Sequence, residues 1–203
     1  MKAPRPRLRP YARGDVRAQT ADEAAAFDRR SIDVVGVPQP VLMENAGRGA
    51  ASVLARLLSP ARVTALVGSG NNGGDALVAL RTLAAWGVQP TAVLVGDRPA
   101  DDPLLHGWPV RVLRDEELDD AGWSRLWAGS DAVVDGLLGT GVRGAPRARQ
   151  ARAIERLNAA DVPVLALDVP SGVDAPTGAL PGVAVGALAT VALGDPTTGA
   201  PPH

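Results

Sequence analysis

Three short segments hold most of the residues able to do chemistry. They are Gly68-Ser69-Gly70-Asn71-Asn72-Gly73-Gly74-Asp75, Asp135 through Gly139-Thr140-Gly141-Val142-Arg143-Gly144-Ala145, and Asp168-Val169-Pro170-Ser171-Gly172-Val173-Asp174. Gly68, Gly70 and Gly73 fit G-x-G-x-x-G, a spacing that lets backbone N–H groups and a helix N-terminus face an anion. A tight strand-to-helix turn would use the same glycines. Asn71, Asn72 and Asp75 add two amides and a carboxylate, which suit oxygen ligation or substrate hydrogen bonding better than a bare phosphate loop. Asp135 closes an apolar run, where it could hold a cation or a hydroxyl, or cap the next turn. Gly139, Thr140, Gly141 and Gly144 resemble a second anion nest, and Arg143 could add a charge-assisted contact. Around Pro170, a fixed φ followed by Gly172 aims the oxygens of Asp168 and Ser171 rigidly.

Composition narrows the chemistry by exclusion. The 203 residues include no cysteine, two histidines (His106 and His203), Lys2 as the one lysine, and 3% aromatics. Disulfides, Cys–zinc sites, a thiol nucleophile and a catalytic lysine are therefore out of reach, and so is an aromatic stacking platform for single-stranded nucleic acid. Carboxylates, hydroxyls, amides and backbone N–H groups remain. The formal charge of −1 conceals an asymmetry. Lys2, Arg5, Arg7, Arg9, Arg13 and Arg17 face only Asp15 in residues 1–19, giving this head +5 and the rest −6. A basic arm can touch nucleic acid or a membrane surface, but a solvated, disordered N-terminal arm is the expectation. No secretory signal and no apolar span of membrane length follow it, so the cytoplasm is the expected location.

These segments need elements to carry them. Residues 20–203 read as one domain. Thr20 with Glu23 forms a capping box opening a helix that Gly36 and Pro38 stop. A second helix runs over Val41–Leu58. Its small residues Ala46, Gly47, Gly49, Ala50 and Ala51 either pack inside the chain or offer a surface for a homodimer. Apolar runs at 62–67, 91–95, 109–113, 131–134, 164–167 and 190–193 read as strands, alternating with helices over 76–86, 116–127 and 147–160. This is an α/β pattern: a mostly parallel sheet covered by helices on both faces, a Rossmann-like three-layer sandwich. Ligands in such folds bind beyond the carboxyl ends of the strands. Loops 68–75, 135–144 and 168–178 all leave such ends, which predicts one shared site.

Leu42-Met43-Glu44-Asn45-Ala46-Gly47, Gly70-Asn71-Asn72-Gly73-Gly74-Asp75, Val134-Asp135 through Gly139-Thr140-Gly141, and Asp168-Val169-Pro170-Ser171-Gly172 occur in this order. Together they resemble the YjeF N-terminal domain family, the NAD(P)H-hydrate epimerases, over roughly residues 20–193. The resemblance implies epimerisation of the R and S forms of hydrated NADH and NADPH, a repair of damaged nicotinamide nucleotides that a separate NAD(P)H-hydrate dehydratase completes. It implies substrate contacts at Asn71, Asn72, Gly73, Gly74, Asp75, Gly139, Thr140, Gly141, Val142, Arg143, Gly144, Ala145 and Asp168. It also implies a potassium ion held by Asn72, Asp135 and Ser171, an oxygen donor set that suits a hard cation. Asp168 is the expected acid/base group, with Asp135 and Asp75 in support.

Three departures stand against the family pattern: Ala76 replaces a usual Gly, Leu137-Leu138 replace a frequent Phe, and the chain ends at His203, short of further strands. A domain truncated at its C-terminus is the expectation. Two other functions remain open. One is a non-catalytic nucleotide- or RNA-binding module of the same fold, which the short end and basic arm favour and which Asn72, Asp135, Asp168 and Ser171 disfavour. The other is an NAD-dependent oxidoreductase with Asp97 on the ribose, for which His106 is the available proton-transfer histidine.

Overall fold

The computed structural model describes residues 21–193; the basic arm, the Thr20 cap and the C-terminal end lie outside the described residues. In chain order the elements are α1 (Ala21–Asp33), α2 (Gln39–Leu58), β1 (Arg62–Val67), α3 (Asn71–Ala85), β2 (Gln89–Leu94), β3 (Arg111–Arg114), α4 (Asp120–Ala128), β4 (Ala132–Gly136), α5 (Ala148–Asn158), β5 (Val164–Leu167) and β6 (Ala189–Val191). All five strand pairings are parallel, in the order β3-β2-β1-β4-β5-β6. This is the doubly wound dinucleotide-binding order, in which the chain reverses direction across the sheet between the first and fourth strands and leaves a crevice there.

Side chains alternate faces along each strand, so the sheet builds two cores. On one face Val63, Ala65 and Val67 of β1 meet Ala50, Ala51 and Leu54 of α2 and Leu77, Leu80 and Leu83 of α3. On the other, Leu66, Val93 and Val133 meet Trp123 and Trp127 of α4 and Ile154 and Leu157 of α5. Helices thus cover both faces, as the unbroken apolar strands require. Pro90 sits inside β2 without breaking the sheet because β3 pairs with β2 only from Thr91 onward.

Two helix starts differ from expectation by more than two residues. The α3 helix begins at Asn71, not 76; the polar run read as loop is its first turn. The α4 helix begins at Asp120 because Asp119 accepts the Gly122 N–H at 2.6 Å and caps it.

Most of the small-residue stripe of α2 packs inside the chain. Gly47, Ala50 and Ala51 are buried against α3, and Glu44 pairs with Arg81 of α3. A Cβ at Gly47 would lie 2.5 Å from the Val78 Cβ and 2.7 Å from the Asp75 carbonyl. Gly47, Ala50 and Ala51 are therefore packing residues within the chain, while Gly49 is exposed. The Leu42–Gly47 motif docks α2 onto the helix that carries the site. Gly47→Ala should push these helices apart and destabilise the protein by about 1–3 kcal/mol, read as a lowered urea midpoint.

Candidate active site

The Asn71–Asp75 turn is shaped by close backbone approach. A Cβ at Gly73 would lie 2.0 Å from the Gly68 carbonyl, and one at Gly68 would lie 2.0 Å from the Leu137 carbonyl. Gly74 faces the Met43 side chain, where a Cβ would come within 2.6 Å. Gly73 and Gly74 therefore let α3 start tight against β1, β4 and α2; neither lines the cavity above. Ala76 turns its methyl toward Gly136 of β4 and away from that cavity. Its substitution for glycine leaves the site open.

The cavity itself, of about 670 Å³, lies at the β1/β4 crevice. Asn71, Asn72, Asp75, Gly139, Thr140, Gly141, Val142, Arg143, Ala145 and Asp168 all line it, joined by Leu137 and Leu138. The expected convergence of three strand-end loops is thus what the fold delivers. Gly144 is not in the wall; its φ of +77° serves the turn.

Under the floor lies a closed polar cluster. Asp135 is fully buried. Its Oδ1 accepts the Ser171 hydroxyl at 2.6 Å and the Leu137 N–H at 3.2 Å, and its Oδ2 accepts the Ser171 N–H at 2.8 Å. The Ser171 Oγ in turn accepts the Leu138 N–H at 2.9 Å. Asn72 donates through Nδ2 to the Leu138 carbonyl at 2.8 Å, while its Oδ1 is buried with no hydrogen-bond partner. Burial pushes the Asp135 carboxyl up to about 6, and the three donors pull against that rise. Asp135 does not line the cavity. A direct catalytic role for it, expected from the sequence, is corrected on this ground: a carboxylate sealed beneath the floor does not exchange protons with a substrate above it.

Asp168 and Asp75 do reach the cavity. Asp168 adopts a left-handed backbone with φ of +67°, a conformation that Asp tolerates better than most residues. This kink ends β5, and the Asp168 Oδ2 accepts the Thr140 N–H at 2.9 Å. Asp75 is pushed up to about 7, first by burial, then by the neighbouring charges of Asp168 and Asp28, against the opposing pull of Arg98. A carboxyl group with a value near neutrality can donate a proton at working pH.

Sequence reasoning missed two residues here. Arg98 donates from Nε to the Gly68 carbonyl at 2.8 Å and from a terminal nitrogen to the Gly70 carbonyl at 2.6 Å, and it pairs with Asp102 at 2.6 Å. It clamps the glycine turn from the end of β2, next to Asp97, which does not line the cavity. Asp28 comes from α1, where its spacing gave no chemical signal. The Asp135 cluster makes a testable demand. Asp135→Asn replaces a double acceptor with a group that carries its own N–H donors, leaving a Ser171 or Leu137 donor unmatched. The expected loss is about 1–3 kcal/mol, measured by urea unfolding at neutral pH.

Comparisons with known proteins place the chain in a family. The family model described as "YjeF-related protein N-terminus" matches residues 39–199. An NAD(P)H-hydrate epimerase of Weissella koreensis is 35% identical over 185 residues, covering 90% of this chain and 82% of that protein. One from Limosilactobacillus fermentum is 33% identical, covering 90% and 88%. The bifunctional NAD(P)H-hydrate repair enzyme Nnr of Hyperthermus butylicus is 39% identical over 191 residues, and the chain spans 35% of its length. The crystal structure of yeast ynu0 superposes with a TM-score of 0.80 at 23% identity, covering 91% of this chain and 83% of that one, a likeness of fold. On the family match and these relatives together, the chain belongs to the YjeF-related N-terminal domain family.

Proposed function

We propose that the chain interconverts the R and S epimers of hydrated NADH and NADPH. The observation that carries the reading is Asp75, raised to about 7 beside Asp168 in a cavity of about 670 Å³. Support comes from the names of the relatives, among them epimerases over most of the chain. In the hydrated ring the C6 hydroxyl sits next to the ring nitrogen. Protonated Asp75 gives its proton to that hydroxyl, the C6–O bond breaks, and water leaves. The nitrogen lone pair forms a planar iminium. Water then adds to the opposite face and gives a proton to Asp168, and return of that proton to Asp75 through solvent restores the site, so that protons and charge balance over the cycle. Placing acid and base in differently tuned environments is how one site runs both steps. The main-chain amides around Gly139–Ala145 and the Arg143 side chain are suited to the dinucleotide phosphates.

We assign potassium to Asn72, Asp135 and Ser171. The orphaned Asn72 Oδ1 supports this assignment, as a buried acceptor without a donor is what a cation would satisfy, and Asp135 supplies the counter-charge. When bound, the ion would supply charge that stiffens the floor. The chemistry above is done by the carboxylates. The bifunctional relatives support functional coupling to a dehydratase. Among the described residues no helix is long and apolar enough to cross a membrane. A cysteine-free chain acting on reduced nicotinamide nucleotides fits the cytoplasm.

The test supplies the purified R epimer of hydrated NADPH and follows S formation above the spontaneous rate, with and without potassium. Wild type should exceed the spontaneous rate, potassium should raise it further, and Asp168→Asn should lower it by about 100-fold or more. Near-normal turnover by Asp168→Asn removes Asp168 from the reaction, and no excess from wild type removes the epimerase reading.

A further inference from the structure

The α1 helix lies before the residues that the family model matches, 39–199, yet it reaches the cavity with two side chains, Phe27 and Asp28. Phe27 is the one phenylalanine of the chain. It is 62% exposed on the cavity wall, the one aromatic ring among the described lining residues. Its ring adds to the apolar side chains of Leu137, Leu138, Val142 and Leu193 in the cavity lining, a surface that a ligand would cover.

Asp28 is the more informative of the pair. It joins Asp75 and Asp168 in one cavity, from three separate elements. Like charges so placed oppose one another. Burial raises Asp28, and the Asp168 charge raises it further. Around Asp75, Arg98 is the cation that offsets Asp168 and Asp28, and its guanidinium is committed to the Gly68 and Gly70 carbonyls and to Asp102. Arg143 and Arg147 also line the cavity, but the charges that act on Asp75 are Asp168, Asp28 and Arg98. Carboxylates converging there against one committed guanidinium are complementary to a positive charge in the ligand, and a preorganised field of this sign acts where charge develops. The iminium ring of the epimerisation carries such a charge, and the ground-state hydrate does not.

We propose that Asp28, carried by α1 to the wall of the cavity that holds Asp75 and Asp168, is a further substrate-facing carboxylate that stabilises the cationic ring during epimerisation. This rests on the epimerase reading above. The step it assists leaves atoms and electrons as already balanced: Asp28 takes no proton and forms no bond. It lowers the energy of the iminium and, by its charge, keeps Asp75 protonated to higher pH.

The experiment uses the full chain with the R epimer of hydrated NADPH as probe and compares wild type, Asp28→Asn and Asp28→Glu across pH. Asp28→Asn should lower kcat roughly tenfold, less than the loss of a buried oxyanion-hole donor, with KM little changed. The sign of the pH effect follows from the coupling. Protonated Asp75 is the active form, so kcat falls as pH rises through its pKa, and removing the Asp28 charge moves that fall to lower pH. Asp28→Glu keeps the charge and should keep the fall near its wild-type position, which a purely structural role in docking α1 would not require. An active wild type with unchanged kcat and pH profile in Asp28→Asn overturns this inference alone. Loss of kcat in both variants with an unmoved pH profile also overturns it, in favour of a structural role. A wild type no faster than the spontaneous reaction overturns the epimerase reading and this inference together.

Discussion

The buried carboxylate of Asp135 is the constraint on which the site depends. Taking a charged group wholly out of water is costly unless its lone pairs are met. Here the Ser171 hydroxyl, the Ser171 N–H and the Leu137 N–H meet them. The demand joins β4 to the turn after β5, since no single loop holds all three donors. The Leu138 peptide extends the cluster in both directions, giving its N–H to Ser171 and taking the Asn72 amide on its carbonyl. The first turn of α3, the loop after β4 and the turn after β5 thereby become one unit at the reversal of strand order.

Above that unit the electrostatics change sign of purpose. Below the floor, hydrogen bonds offset the cost of burying charge. In the cavity, Asp75, Asp168 and Asp28 face one another with Arg98 as the opposing charge on Asp75. Burial and like charge in such a cavity raise Asp28 and push Asp75 up to about 7. The same field favours a cation over a neutral ligand. Acid and electrostatic stabiliser are two consequences of one arrangement.

Glycine placement serves both halves. Gly68 and Gly73 stand where a side chain would collide with backbone at 2.0 Å. Only with these approaches can α3 begin directly over β1 and aim Asn72 downward and Asp75 into the cavity. Spacing that suggests an anion loop is here also a packing requirement, and Arg98 keeps the turn in place by holding two of its carbonyls.

Local pattern made the layered α/β fold readable in advance, because apolar strands buried on both faces and amphipathic helices have different periods. The three loops were readable too, since parallel strands place all their carboxyl ends on one edge. Motif order also pointed to Asn72, Asp75, Asp135, Asp168 and Ser171, which the fold brings to that same edge. What each does was not readable. Asp135 and Asp168 both end strands, yet a left-handed residue lifts Asp168 into the cavity while three donors hold Asp135 beneath it. Asn71 and Gly73 sit two residues apart, yet one lines the cavity and the other meets the Gly68 carbonyl. Arg98 and Asp28 carry no local signal of a place in the site, because Gly68 and Gly70 for the one, and Asp75 and Asp168 for the other, lie tens of residues away. The sequence by itself determined the layers and the edge where chemistry gathers, which depend on short-range periodicity and strand direction. Only the tertiary structure decided burial, pairing and protonation, which depend on distances between chain segments that no local pattern encodes.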